Sequence, residues 1–196
     1  MANDLQAAPA AEARPAEMFN NFVQIGIVVR DLDRTVKALS EVFGIGPWRF
    51  ITYPPPERGA AGLEYRGEPG HFAHRIGFAS LGPIEMEICE PAPGAGPSSL
   101  TEYLDEHGEG IQHIRFNVPE LQPVLDYLTG RGIGCVMSGP GIRPGTRWYH
   151  MDTSAQVGFV LEIMNVLPGT DGRTPAIVDG KPVVDDNPVV DDKVIA

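Results

Sequence analysis

Four residues of this chain have the types and spacing to share a divalent cation: Gln24, Glu87, His113 and Glu162. Together they offer an amide oxygen, an imidazole and two carboxylates. The two acids neutralise the ion, and mixed nitrogen and oxygen donors suit zinc, cobalt, nickel, manganese or ferrous iron, with no thiolate to favour a structural zinc. Four protein ligands leave one or two positions for substrate oxygens. An ion held in this way polarises a carbonyl and stabilises an enolate, so that a carboxylate such as Glu162 can remove the proton on the adjacent carbon. A single strand histidine or a single terminal glutamate is usually structural. The case for these four rests on where they stand relative to one another.

His113 belongs to EGIQHIRFNV, residues 109–118, which alternates as a strand: Ile114, Phe116 and Val118 on one face, His113, Arg115 and Asn117 on the other. The chain says nearly the same thing 89 residues earlier. With Gln24 set over His113, QIGIVVRDLDRTVKALSEVFGIG falls into register with HIRFNVPELQPVLDYLTGRGIG. Each copy is a strand followed by an amphipathic helix, with Leu32, Val36, Leu39 and Phe43 forming one apolar stripe and Leu121, Val124, Leu125 and Leu128 the other. Asp31 is placed to cap the first helix and Pro119 to open the second, and Gly44 and Gly132 end them.

Each copy closes on a strand carrying an acid, PIEMEIC with Glu87 and GFVLEIM with Glu162. Alternation puts both acids on the face away from the helices, as it does Gln24 and His113. Two copies related by a pseudo-twofold would therefore bring all four residues into one cleft. The expected architecture is α+β: two βαβββ modules forming an open, U-shaped, barrel-like sheet with a central metal cleft.

Along the chain, residues 1–17 read as a leader without periodicity, and it lacks the apolar stretch of a signal peptide. Residues 18–95 form the first module, 96–109 a linker and short helix with Leu100, Tyr103 and Leu104 on one side, 110–167 the second module, and 168–196 an acidic tail with VVDD twice, disordered or draped over a neighbour, its acidic repeats read as solvated. A net charge of −11 and a pI near 4.8 argue against nucleic acid, which needs clustered Lys and Arg. No apolar run approaches the ~20 residues of a membrane span. Cys89 and Cys135 suggest no disulfide framework, so a reduced cytoplasmic home is the default. The expected partners are a small-molecule substrate and a second copy of the chain in a homodimer.

Arg115 and Asn117 share the cleft face with His113 and could bind substrate oxygens. Arg143, Arg147 and Trp148 lie in or beside a glycine-rich loop, GPGIRPGTRWYH, that could close over an anionic or nucleotide-tailed substrate. Phe50, Tyr65 and Tyr149 are further pocket candidates. His71, His74 and His150 read as surface or packing residues.

The duplicated βαβββ pattern, the GIQHIRFNV strand and the LEIM ending resemble the vicinal oxygen chelate superfamily, which includes glyoxalase I, methylmalonyl-CoA epimerase, extradiol dioxygenases and antibiotic-resistance proteins. The resemblance spans roughly residues 20–166. SSLTEYLDEHGEGIQHIRFNV, following EICEP, is most similar to the epimerase branch. The resemblance implies metal ligands at Gln24, Glu87, His113 and Glu162. Epimerases usually carry His where Gln24 stands and often Gln where Glu87 stands, so this set is closer to that of glyoxalase I. Glyoxalase I has an Arg for glutathione where this chain has Val28. Extradiol dioxygenases need two His and one Glu, so Gln24 argues against oxygen chemistry. Epimerases place a base just past a PExG turn; PERG occurs at 56–59, and Glu64 is the nearest candidate. The activity this implies is epimerisation or racemisation next to a carbonyl, possibly on an acyl-CoA. Its rivals are a lactoylglutathione-lyase-type isomerase and a non-catalytic binding or resistance protein.

Overall fold

The computed structural model describes residues 15–175 and the two short strands at 177–178 and 181–182. In chain order the elements are α1 (Pro15–Met18), β1 (Phe22–Val28), α2 (Leu32–Phe43), β2 (Arg49–Tyr53), β3 (Glu64–Tyr65), β4 (Glu68–Pro69), β5 (His74–Leu81), β6 (Ile84–Pro91) and α3 (Ser99–His107). There follow β7 (Gly110–Val118), α4 (Leu121–Thr129), β8 (Cys135–Pro140), β9 (Arg147–Met151), α5 (Ser154–Val157), β10 (Val160–Asn165), β11 (Ile177–Val178) and β12 (Lys181–Pro182). Ten strands form one curled, open half-barrel sheet in the order β2-β5-β6-β1-β7-β10-β9-β8-β3-β4.

The order shows the duplication. β1 pairs in parallel with β6, β7 in parallel with β10, and the two halves join where β1 runs antiparallel to β7. A pseudo-twofold between β1 and β7 exchanges Gln24 with His113 and Gly26 with Arg115, since Gln24 pairs with Arg115 and Gly26 with His113. The helices α2 and α4 cover the convex face. Leu32, Val36 and Leu39 of α2 pack on Ile27, Met86 and Ile88, while Val124 and Leu128 of α4 pack on Val118 and Ile163. Each such side chain removed from water contributes about 1.5–3 kcal/mol. Asp31 caps α2 by accepting from the Arg34 amide, and Gly44 closes it in the left-handed conformation. In α4 the helix stops at Thr129, with Gly130 as its cap and the left-handed turn delayed to Gly132.

Three expectations about organisation need correction. The short β3–β4 hairpin lies within the sequence of the first module but pairs with β8, so Glu64 stands opposite Ser138 at the far edge of the second half. The end of the leader is structured: α1 delivers Phe19 to the rings of Phe116 and Tyr127, at 5.9 and 6.2 Å between centroids. The first residues of the expected solvated tail are docked. Thr174 donates to Glu85 at 2.5 Å, Arg49 donates to the Thr174 carbonyl, and Asn117 donates to the Gly172 carbonyl at 3.0 Å. Gly172 is needed there, because φ is +70° and a Cβ would lie 2.2 Å from the Asn117 amide nitrogen. Both VVDD repeats, like residues 1–14, lie outside the described residues. Cys89 and Cys135 are unpaired thiols. No helix among the described residues is long and apolar enough to cross a membrane.

Candidate metal centre

On the concave face the strands line up two rows of side chains. Glu85, Gln24, Arg115, Glu162 and His150 follow one another across β6, β1, β7, β10 and β9, and Glu87, Gly26 and His113 form the neighbouring row. Gly26 has no side chain, so the His113 ring lies over it and its Nε2 reaches Glu87 Oε2 at 3.0 Å. The same nitrogen is 3.3 Å from Glu162 Oε2. His150 completes the group: its Nε2 is 3.9 Å from Glu162 Oε2 and its ring centroid 4.6 Å from that of His113. Ligand atoms of His113, His150 and Glu162 all lie within 4.8 Å of one another, and all three residues are buried.

Neighbouring hydrogen bonds orient the two rings. Gln112 Oε1 accepts from His113 Nδ1 at 2.7 Å, which leaves the Nε2 lone pair of neutral His113 aimed at the carboxylates. Ser99, at the start of α3, holds His150 Nδ1 at 3.1 Å. Burial pushes the His113 pKa down, but hydrogen bonds and charge from Glu162 and Glu87 outweigh it and raise the group to about 9. Burial pushes Glu162 up, yet its bond to His113 and the charge of Arg115 hold it at about 2. Glu87 is raised, chiefly by burial. Burial lowers His150 to about 3, so it stays neutral and keeps its lone pair.

Gln24 is fully buried and faces the other way energetically. Its amide nitrogen donates to Glu85 Oε2 at 3.3 Å while its Oε1 has no partner. Arg115, next in the row, extends to within 3.9 Å of Glu85. Glu85 also pairs with Arg49. The structure therefore brings Glu87, His113 and Glu162 together and puts His150 beside them, with Gln24 committed to Glu85.

Glu87, His113, His150 and Glu162 all line one cavity of about 790 Å³, its open mouth included. Arg115, Arg143 and Trp148 line it too, and Trp148 Nε1 donates to Tyr53 Oη at 3.0 Å. Asn117 lies beside the cavity, tied to Gly172. Glu64 and Arg147 do not reach it. They pair with each other at 3.3 Å and share Ser138, and the Glu64 side chain is 56% exposed. Phe50 packs over Gly77 and is partly exposed, and Tyr149 packs against the α4 core, so neither serves the cavity. His150 was legible only as one of two alternating residues, Trp148 and His150, in β9. The repeat does not mark it, because the equivalent place opposite Glu87 is held by Phe78.

A sequence profile of the glyoxalase/bleomycin resistance protein/dioxygenase superfamily matches residues 23–150. This chain belongs to that superfamily. The fold is shared with methylmalonyl-CoA epimerases: one solved with methylmalonyl-CoA has a TM-score of 0.56 at 19% identity, covering 77% of this chain and 96% of that one. The Mycobacterium tuberculosis epimerase has a TM-score of 0.57 at 17% identity, covering 80% and 95%. In sequence, 4-hydroxyphenylpyruvate dioxygenase of Xenopus tropicalis is 41% identical over 51 residues, which is 26% of this chain. The chain spans only 13% of the length of that curated relative.

The superfamily member described here has a centre whose donors fit a divalent cation. Two buried carboxylates flank one imidazole, a second neutral imidazole stands beside them, and the raised pKa of His113 shows that the place between the carboxylates favours positive charge. Such a concentration of buried anions is stable only when paired with a cation.

Proposed function

We propose that this chain is a divalent-metal-dependent isomerase that removes and returns a proton at a carbon next to a carbonyl. One observation carries the reading: Glu87 and Glu162 flank His113 Nε2, at 3.0 and 3.3 Å, inside a cavity that can admit a small molecule. His113, His150 and Glu162 would hold the ion, with Glu87 adjoining them. The ion would supply polarisation of the carbonyl and neutralisation of the developing enolate charge. The chain supplies the proton transfers. Among the residues lining the cavity the only carboxylates are Glu87 and Glu162. Glu87, raised by burial towards the range of a working base, is assigned the abstraction and, after exchange with solvent, the return, while Glu162, held low, stays ionised as a ligand. Glu64, tied to Arg147 outside the cavity, has no part in it. The fold shared with the methylmalonyl-CoA epimerases supports this class of reaction. The test is deuterium incorporation in heavy water into a panel of 2-substituted carbonyl acids, ketones and acyl thioesters, with cobalt, manganese or zinc supplied. Metal-dependent exchange abolished by Glu87→Gln is the expected result. No exchange with any metal would sink the reading.

A second reading rests on His150. With His113 and Glu162 it makes a set of two histidines and one carboxylate, the donor pattern of non-haem ferrous oxygenases. The argument from Gln24 against oxygen chemistry therefore loses its force, and the sequence match to a dioxygenase points the same way. Oxygen uptake by the iron-loaded protein with a 2-oxo acid, and no proton exchange, would favour this alternative.

A further inference from the structure

Among the cavity's cations, Arg143 differs from its neighbours. Arg173 pairs with Asp171, as Arg147 outside the cavity does with Glu64, whereas no carboxylate among the described residues pairs with Arg143, and its Nε is buried without a hydrogen-bond partner. Arg115, 6% exposed and lining the same cavity, also has an unpartnered Nε. A buried guanidinium donor without an acceptor loses solvation and gains nothing in return, so a structure that keeps two of them around one cavity is arranged for an acceptor that arrives from outside. The loop carrying Arg143 is fixed in advance: Thr146 donates to the Arg143 carbonyl through both its amide and its hydroxyl, at 3.2 and 2.7 Å, and Gly141 donates to the Thr146 carbonyl. Such preorganisation lowers the ordering penalty of binding.

The cavity is also walled on one side. Leu167, Thr170, Gly172 and Thr174 line it, and the segment they belong to is latched by Thr174 and Arg49 at Glu85 and by Asn117 at Gly172. A substrate tail leaving on that side would have to break those bonds.

We propose that Arg143 and Arg115 form a carboxylate subsite, and that the substrate is a compact carbonyl compound carrying its own carboxylate rather than a coenzyme A thioester. Guanidinium groups match carboxylate geometry and form the stronger, charge-assisted bonds. The carbonyl part of this assignment rests on the isomerase reading; the carboxylate part rests on the two arginines alone.

Calorimetric titration of malonate into the full chain, metal-stripped and cobalt-loaded, tests it. Wild type binds malonate in both states, Arg143→Gln weakens binding tenfold or more with an unchanged melting temperature, and Arg147→Gln leaves it within twofold of wild type. Coenzyme A does not displace malonate. Equal binding by wild type and Arg143→Gln, absence of saturable malonate binding, or displacement by coenzyme A each overturns the proposal, and tighter binding of inorganic phosphate than of malonate overturns the carboxylate assignment. Because the metal-stripped arm reads Arg143 directly, a failure of α-proton exchange leaves this result standing, and a failure here leaves the exchange experiment untouched.

Discussion

Gly26 lies directly beneath the imidazole of His113: a Cβ at position 26 would fall 1.9 Å from His113 Cε1 and 2.0 Å from Nε2. The missing side chain in the first half is what lets the histidine of the second half cross towards Glu87. At the pseudo-equivalent place in the second half stands Arg115, and there the space is filled by a guanidinium. One glycine and one arginine at matching points thus break the symmetry of the duplicated unit and put the donor cluster on one side of it.

Gly26→Ala should therefore displace His113 from between the carboxylates while leaving the sheet intact, since the Gly26 backbone is not in the left-handed region. Overpacking of this kind costs about 1–3 kcal/mol. Metal affinity measured by competition with a chelator should fall by at least tenfold, with the far-ultraviolet circular dichroism unchanged. Wild-type affinity in Gly26→Ala would show that His113 need not occupy this position to bind metal.

The ligand set makes a second prediction. His150→Ala and His113→Ala should each reduce bound metal by more than half after dialysis against a weak chelator. Gln24→Leu should keep its metal and instead lose about 1–2 kcal/mol of stability, through the broken hydrogen bond to Glu85. Metal analysis beside urea denaturation separates the two effects. The reverse pattern, metal lost with Gln24 and kept without His150, would return Gln24 to the centre.

The fold was largely readable because it depends on periodicity. Alternation in EGIQHIRFNV and PIEMEIC, and helical stripes at Leu32–Val36–Leu39 and Val124–Leu128, record which face is covered, and duplication recorded how the halves meet. The shared face of Glu87, His113 and Glu162 followed from the same parity. What parity does not contain is reach. Gln24 is on the same face, yet its amide nitrogen bonds Glu85, and only side-chain lengths and competing partners decide that. Glu64 failed for another reason: the residues after the PERG turn cross to β8, a long-range pairing that no local pattern encodes. The docked segment at Gly172 and Thr174 was hidden because its contacts are single hydrogen bonds to Asn117, Glu85 and Arg49, far away in sequence and without periodicity.

The buried histidines set the pH response of the metal-free protein. Burial lowers His74 and His150 from 6.5 to about 3. Between those values the unfolded chain binds protons that the folded chain refuses, so each contributes a loss of about 1.4 kcal/mol per pH unit on acidification. Glu162, held at about 2, adds to the loss below pH 4.5. His113 works in the opposite sense: its stabilisation is fully present below 6.5 and disappears as pH rises through about 9. Stability of chelator-treated protein, measured by urea unfolding from pH 4 to 9, should peak near pH 6.5. His74→Phe, which touches no proposed ligand, should flatten the acid limb and leave the alkaline limb unchanged. A stability that rises steadily to pH 9 would contradict the charged state assigned to His113.

The docked segment gives the last prediction. Thr174 is buried and its hydroxyl donates to Glu85 Oε2, which also receives the Gln24 amide, while Arg49 pairs with Glu85 and holds the Thr174 carbonyl. Thr174→Val keeps the volume and removes the donor, leaving a buried carboxylate short of one bond. That should lower stability by about 1–2 kcal/mol. Ending the chain at Thr170 removes the Gly172 carbonyl as well, so Asn117 loses its acceptor and Arg49 the Thr174 carbonyl, and the loss should reach about 2–4 kcal/mol. Both changes leave His113, His150 and Glu162 in place, and metal content should stay at the wild-type level. Small neutral solutes should enter the cavity faster in the shortened chain, read as faster quenching of Trp148 fluorescence by acrylamide, with Trp48→Phe as background. An unchanged melting temperature and unchanged quenching in the shortened chain would show that the segment does not close the cavity in solution.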